Sequence, residues 1–135
     1  MLRNLPPLTR IKMSQTNEAK LWDRIKKLDL KGHIFRVESN TINGIPDVAG
    51  LLNKKYFWLE LKANDSKNYG ISRWQINWHT KHNRVGGNAY ILLKALKHRG
   101  LKLLRIEEGS VVLVAKGKDN EVTLRLMLSR CVSRS

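Results

Sequence analysis

Residues 55–62 alternate between apolar and polar side chains in a way that would bring two opposite charges together. Side chains of a β-strand point alternately to its two faces, so residues two apart share a face. As a strand, this segment would carry Phe57, Leu59 and Leu61 on one face and Trp58, Glu60 and Lys62 on the other. A carboxylate would then lie beside an ammonium group in the middle of a largely apolar strand.

A second carboxylate, Asp47, is expected to lie across from Glu60. Residues 47–52 form another predicted strand and 53–54 a tight turn, so residues whose numbers sum to about 107 would face each other. Two carboxylates opposite each other repel, and a divalent cation such as Mg²⁺, which takes oxygen ligands, could hold them together. Such a site can polarise a phosphate and activate water, while Lys62 would orient that water or stabilise charge on phosphorus. Phosphodiester hydrolysis needs these parts.

The same residues have a simpler interpretation. Glu60 and Lys62 could form an exposed pair on an edge strand, and Asp47 could be a turn residue after Pro46. For a Glu-x-Lys pattern alone this interpretation is favoured. The metal site is favoured when three observations are combined: the hairpin between the acids, the net charge, and the segment Gly44-Ile45-Pro46-Asp47.

The charge balance points to an anionic partner. The 135 residues include 26 Lys and Arg against 11 Asp and Glu, a net charge of +15. Nucleic acid is the leading candidate. An anionic membrane surface comes second, because no segment joins a basic face to a broad apolar one. No apolar run approaches the ~20 residues of a membrane span, and the lone Cys131 favours a reducing, cytoplasmic setting.

The remaining pattern predicts an α/β domain with the order α-β-β-β-α-β, followed by shorter elements. Helices are expected at 17–30, capped by Thr16 or Ser14, and at 72–83. Strands are expected at 33–38, 47–52, 55–62, 89–95, 101–106 and 110–115, and 121–129 is ambiguous between strand and helix. For this order of elements, the expected packing is one mixed sheet flanked by helices. The domain would span 14–128 between basic tails at 1–13 and 129–135, with Met13 as an alternative start.

These residues resemble a known nuclease signature. Pro46-Asp47 followed by Glu60-Leu61-Lys62 is similar to the PD-(D/E)xK pattern, and with Gly44-Ile45, Trp58-Leu59 and Gln75 the set resembles the VRR-NUC group of phages and DNA-repair nucleases. The resemblance covers roughly 18–93. It implies a restriction-endonuclease-like core that depends on Mg²⁺ or Mn²⁺. The implied metal ligands are Asp47, Glu60, the Leu61 carbonyl and the first-helix acid Glu18, with Lys62 as the catalytic lysine. Small stand-alone members resemble Holliday-junction resolvases and act as homodimers.

Several candidates keep a second interpretation. Glu18 shares the inward stripe of the first helix, but it could equally be a first-turn acid that favours the helix dipole. Gln75 matches a family glutamine near the site and also completes a capping box with Ser72. Glu38 could face the site or pair with a lysine. His79 and His82 have the wrong spacing for a structural zinc site.

The types of the residues around the second helix suggest which of them contact DNA and which lie in the core. Tyr69, Arg73, Trp74 and Lys81 could contact the DNA backbone, while Trp74 and Trp78 are expected mainly in the core. The sequence therefore predicts a metal-dependent DNA endonuclease, selective for branched DNA, homodimeric, and placed in the host cytoplasm if viral. The alternatives are a nucleic-acid-binding module with a degenerate nuclease fold, and a nicking nuclease or exonuclease.

Overall fold

The computed structural model describes residues 16–39 and 41–133. Within these ranges the chain forms three helices and six strands in the order α1 (Asn17–Lys26), β1 (Gly32–Arg36), β2 (Val48–Leu52), β3 (Lys55–Ala63), α2 (Arg73–Arg84), β4 (Ala89–Lys94), β5 (Gly100–Glu107), β6 (Ser110–Lys118) and α3 (Glu121–Arg130). The expected tail at 1–13 and the alternative start at Met13 lie outside the described residues.

One six-stranded sheet organises the molecule, with its strands in sequence order from β1 to β6. All neighbouring pairs are antiparallel except β3 and β4, which are parallel. Helix α2 makes the crossover that a parallel pair requires. The expected α/β architecture, a mixed sheet with flanking helices, is confirmed.

Helices α1 and α3 cover one face of the sheet. Leu21, Trp22 and Ile25 form the buried stripe of α1, and their spacing is that of one helix face. They belong to the larger of two buried apolar clusters, which also contains Leu59 and Leu61 of β3 together with Leu124, Met127 and Leu128 of α3. This cluster is the main core of the domain.

Helix α2 covers part of the opposite face, chiefly over β4 and β5. The apolar cluster on this side is smaller and consists of Ile71, Ile91, Leu93, Leu104 and Ile106. Glu60 and Lys62 pair with Ile91 and Leu93 in the β3–β4 register, which places them on this face. The α2 face therefore carries the charged side of β3.

Helix α1 is shorter than the expected 17–30. The side chain of Thr16 accepts a hydrogen bond from the Ala19 N–H at its start, and Lys27 caps its end. Leu28 lies beyond the helix but is still buried in the same cluster. A residue in the following turn thus continues the apolar stripe, which is why the period of the sequence extends past the helix.

The last segment, which was ambiguous from sequence, is helix α3. Its N-cap Asn120 accepts a hydrogen bond from the Thr123 N–H at 2.8 Å. The helix continues to Arg130, and Cys131 and Val132 after it are buried. The described part of the expected C-terminal tail at 129–135 therefore packs with the domain, because an apolar pair follows the helix directly. No helix of the described residues is long and apolar enough to cross a membrane.

Candidate metal and phosphodiester site

The β2–β3 hairpin has the register expected from the sequence. Val48 pairs with Leu59 and Leu52 with Lys55, so Asp47, one residue before β2, comes opposite Glu60. The turn residues Asn53 and Lys54 have φ values of 53° and 65°. Two consecutive left-handed residues are typical of the type I′ turn, whose twist matches that of a tight hairpin. Local turn geometry therefore brings the two carboxylates together.

Asp47 is held by two backbone hydrogen bonds. Its carboxylate Oδ2 accepts from the Leu61 N–H at 3.2 Å, and its carbonyl accepts from the Val37 N–H at 2.7 Å. The first bond ties the acid to β3 next to Glu60, and the second ties it to the end of β1. The side chain is half-buried, so it can reach both Glu60 and solvent.

Glu60 is buried, with 4% of its surface exposed, and its Oε1 has no hydrogen-bond partner. Burial, the negative charge of Asp47 and a hydrogen bond between the two carboxyls together raise the pKa of Glu60 to about 9, although the Lys62 charge opposes the shift. Without a cation, the pair therefore retains a proton near neutral pH. A buried carboxylate pair of this kind is costly unless something positive neutralises it.

The donor set at this point suits a hard divalent cation. Two carboxylates lie together, one of them has an orphaned buried oxygen, and Mg²⁺ often takes only one or two protein carboxylates with water and phosphate as other ligands. The described residues contain no group of three or more His, Cys, Asp or Glu that could hold a metal. Asp47 and Glu60 supply two carboxylates, so they fit an open site whose other ligands would be water and phosphate.

Lys62 lies on the same face of β3 as Glu60 and is half-buried. Its Nζ donates a hydrogen bond to the Gly70 carbonyl at 2.8 Å, in the loop before α2. This bond holds the ammonium group at the end of the strand. Lys62 is thus a positioned charge two residues from Glu60, as its place in the pattern indicated.

A glycine fixes the loop that carries Asp47. Gly44 has a φ of +86°, and a Cβ built there would lie 2.2 Å from the Trp74 carbonyl oxygen. Only glycine allows this close approach between the loop and the first turn of α2. Gly44 therefore allows the loop that leads to Asp47 to pack directly against the first turn of α2.

Gln75 acts as a helix cap. Its Oε1 accepts from the Ser72 N–H at 2.9 Å, and its own N–H donates to the Ser72 Oγ at 3.2 Å. The capping role is confirmed, and Gln75 also lies in the turn that contacts Gly44. A role at the site stays a prediction.

The structure does not bring the other two predicted acids, Glu18 and Glu38, into a group with Asp47 and Glu60. Glu18 is half-buried in the first turn of α1, and it does not join Asp47 and Glu60 in a group of three metal-ligating residues. Glu38 is exposed just after β1. Trp74, expected in the core, is 47% exposed because it lies in the first turn of α2, where the Arg73 guanidinium lies 4.6 Å from its ring.

An aromatic cluster that the sequence analysis did not assemble lies beside the acids. Trp78 contacts Trp58 at 5.5 Å between ring centroids and stacks on His82 at 4.6 Å. His79 is fully buried, and burial together with the His82 and Arg105 charges lowers its pKa to about 4. Two features of the sequence could have indicated this cluster. Trp58 shares a face of the strand with Glu60, and Trp78 and His82 are four residues apart on one helix.

Comparison with solved structures gives distant likenesses, of which one is to a resolvase. No family model matches the chain, and no curated protein matches it. The fold is similar to that of Hjc, a Holliday junction resolvase from the archaeal hyperthermophile Archaeoglobus fulgidus, with 17% sequence identity and a TM-score of 0.40. The match covers 64% of this chain and 64% of that one. The function of the site is therefore inferred from its own residues.

Proposed function

We propose that this chain is a metal-dependent nuclease that hydrolyses phosphodiester bonds in DNA. The supporting observation is the Asp47–Glu60 pair, which the hairpin brings together and in which a buried Glu60 oxygen has no partner. A cation would relieve the repulsion that the fold builds into this position. The resemblance to PD-(D/E)xK nucleases, and more narrowly to the VRR-NUC group, is part of the same proposal.

Each residue has a distinct task in this proposal. Asp47, Glu60 and the Leu61 carbonyl would hold Mg²⁺ or Mn²⁺, and the bound ion would polarise the phosphate, activate water and neutralise the leaving oxygen. The Leu61 N–H bond to Asp47 orients that carboxylate toward Glu60. Lys62 supplies a fixed positive charge, which stabilises the negative charge that develops on the phosphoryl oxygens.

Binding of DNA is assigned to the basic surface as a whole. A net charge of +15 favours contact with many phosphates, and such contacts do not need the metal. Cleavage and binding should therefore separate when the metal is removed. The degenerate-fold alternative differs here, because it predicts binding without cleavage under all metal conditions.

The deciding experiment is a cleavage panel. Four-way junction, flap, nicked duplex, linear duplex and single strand are each incubated with Mg²⁺, Mn²⁺ or EDTA, and DNA retention is followed in parallel by gel shift. We expect cleavage of at least one substrate with a divalent ion and none in EDTA, with retention in both. Full cleavage in EDTA would overturn the two-carboxylate mechanism, and binding without any cleavage would favour the binding module.

The finer proposal is that the substrate is branched DNA and that the enzyme is a homodimer. A dimer would spread basic surface over two duplex arms and place two sites on one junction. Each neutralised phosphate steepens the log-log salt dependence of duplex binding by about 0.9. We expect a steeper slope for a junction than for a linear duplex, with symmetry-related cuts and a dimer mass in sedimentation. A monomer with equal slopes would refute this part alone.

Glu18 and Gln75 are proposed as further site residues, and conservative variants separate the alternatives. If Glu18 assists the metal, Glu18→Gln should stay folded but need more Mg²⁺ for half-maximal cleavage. If Gln75 acts only as a cap, Gln75→Glu, which keeps a capping acceptor, should retain activity, whereas a site role would make this change harmful. An unchanged metal requirement in Glu18→Gln would return that residue to the helix dipole.

A further inference from the structure

A cleft of about 490 Å³ lies at the C-terminal end of α2, outside the carboxylate site. Its lining combines aromatic, cationic and apolar side chains, namely Trp78, Lys81, His82, Arg84 and Val85. Val85 is 84% exposed and Trp78 is half-buried, so part of this apolar lining faces solvent. An apolar cleft with cations at its rim suits a ligand that is flat, aromatic and attached to negative charge.

The aromatic part of the lining is rigidly built. The rings of Trp78 and His82 stack with centroids 4.6 Å apart and planes 14° apart, and Trp58 meets Trp78 edge-on at 66°. Gly87 packs so closely that a Cβ there would lie 2.2 Å from His82 Cδ2. The imidazole is therefore held between the indole and the backbone, and the stack is formed before any ligand arrives.

The electrostatics suit a base and its phosphate. Burial, followed by the charge of Arg105, lowers the pKa of His82, so its ring is neutral at physiological pH and adds no positive charge to the stack. Lys81 is exposed at the rim. Arg84 donates to Glu108 at 2.8 Å on the surface, so the phosphate contact is assigned to Lys81.

We infer that this cleft binds an unpaired base of the DNA strand, which continues the Trp78–His82 stack while Lys81 contacts an adjacent phosphate. Bases in a duplex stack on each other, so only an unstacked base can offer its face to this platform. This inference rests on the proposed nuclease function, because it identifies the ligand as a segment of the substrate. It assigns to the enzyme a preference for DNA with single-stranded character.

The position of the cleft connects it to the carboxylates. Trp58, which contacts both rings of the stack, is two residues before Glu60 on the same face of β3, about 7 Å along the strand. Helix α2 runs from the turn beside Gly44 to this cleft. An unpaired base held there would lie on the same side of the sheet as the Asp47–Glu60 pair, so one strand could reach both.

The test measures binding without cleavage. Full-length protein in EDTA is titrated against a linear duplex and against the same duplex with a short single-stranded gap containing 2-aminopurine, whose fluorescence falls when it stacks. We expect tighter binding of the gapped DNA with quenching of the probe. For Trp78→Leu we expect the affinity for gapped DNA to fall about tenfold with duplex affinity little changed, and quenching to disappear.

Two variants guard against a loss of folding or of general affinity. Trp78→Phe keeps an aromatic ring and should retain most of the preference, and circular dichroism shows whether each variant is folded. Leu126→Ala removes an exposed apolar side chain of α3 that does not line the cleft, and it should leave the preference ratio intact.

The outcomes separate this inference from the proposed function. Equal preference ratios in wild type and folded Trp78→Leu would overturn the cleft assignment even if metal-dependent cleavage is found, and so would the absence of any preference in wild type. Failure of cleavage with every metal would instead count against the nuclease, while the stacking measurement would still report on the cleft.

Discussion

Both faces of β3 carry buried side chains, but the side chains are apolar on one face and include a carboxyl group on the other. On the face of α1 and α3, Leu59 and Leu61 are buried among apolar side chains of both helices. On the α2 face, Glu60 is buried almost as deeply, but Asp47 lies next to it and its Oε1 has no partner. One face thus stabilises the fold, while the other buries a carboxyl pair that ionises fully only at a cost.

Arg105 is a buried charge that lies beside an opposite charge, although its Nη1 has no hydrogen-bond partner among the described residues. Its guanidinium donates to Glu107 at 3.1 Å and to the Gly87 carbonyl at 2.9 Å, and it lies 5.1 Å from the Tyr90 ring. Glu60, by contrast, has a like-charged neighbour. Natural proteins tend to break such local rules at functional sites and to offset the cost elsewhere. The comparison therefore supports the proposal that the site lies on the α2 face.

The sharpest test of this contrast removes the carboxylates one at a time. Asp47→Asn and Glu60→Gln should each reduce metal-dependent cleavage about 1000-fold, since each removes a charge that would bind the cation in the proposed site. Initial rates at saturating Mg²⁺, with folding checked by circular dichroism, measure the effect. Glu121→Gln, an exposed acid on α3, is the matched control and should cleave normally. Two fully active site variants would remove the carboxylates from the mechanism.

A substitution on the opposite face should have the opposite effect. Leu124 on α3 is 1% exposed in the main core, so Leu124→Ala should lower the free energy of unfolding by about 3 kcal/mol through lost packing. Urea unfolding measures this loss. Cleavage per folded molecule should stay near the wild-type rate at low temperature. A strong loss of rate in folded protein would mean that the two faces are not functionally separate.

Lys62 tests whether the charged face acts beyond metal binding. Lys62→Ala should lower the turnover rate about 100-fold, because a fixed positive charge beside the phosphate is lost. DNA affinity should change less than about twofold, since many of the 26 basic residues share that binding. Single-turnover rates and binding in EDTA separate the two effects, and Lys116→Ala on β6 is the control. Unchanged turnover would make Lys62 a surface lysine.

The burial of Glu60 should also appear as a pH-dependent stability. The folded-state pKa of Glu60, about 9, lies above its ordinary value of 4.5. Between these values the unfolded chain binds fewer protons than the folded chain, so metal-free stability falls as pH rises from 4.5 to 9. Glu60→Gln should remove this slope and stabilise the metal-free protein by on the order of 2 kcal/mol at pH 8.

Thermal or urea unfolding of both proteins in EDTA from pH 5 to pH 9 gives the difference between them, which cancels the contribution of the other titrating groups. Mg²⁺ should stabilise the wild type at pH 8 and leave Glu60→Gln nearly unchanged. Parallel pH profiles for the two proteins would show that Glu60 is not the source of the slope.

The sequence was sufficient for the parts of the site that depend on local geometry. The alternation of residues 55–62 and the turn at 53–54 predicted the faces of β3 and the pairing of Asp47 with Glu60. These features follow from a period of two and a two-residue turn, which neighbouring residues determine.

Features that depend on packing between distant segments were not predictable in the same way. Trp74 and Trp78 are of the same residue type and lie four residues apart on α2. Trp74 is nevertheless exposed, whereas Trp78 contacts Trp58 and stacks on His82, because Trp78 lies over β3. The burial of Cys131 depends on how α3 docks on the sheet. No pattern within a single segment carries that information.

The short turn at Asn53 and Lys54 has a consequence for the order of folding. The β2–β3 hairpin closes through local contacts, whereas the parallel β3–β4 pair must wait for α2 to cross over, and non-local pairing is slower. The carboxylates can therefore meet in water before β4 and α2 bury them. Their repulsion should then slow the docking step, and Mg²⁺ should relieve it and act mainly by speeding folding, which stopped-flow kinetics with and without the ion would reveal.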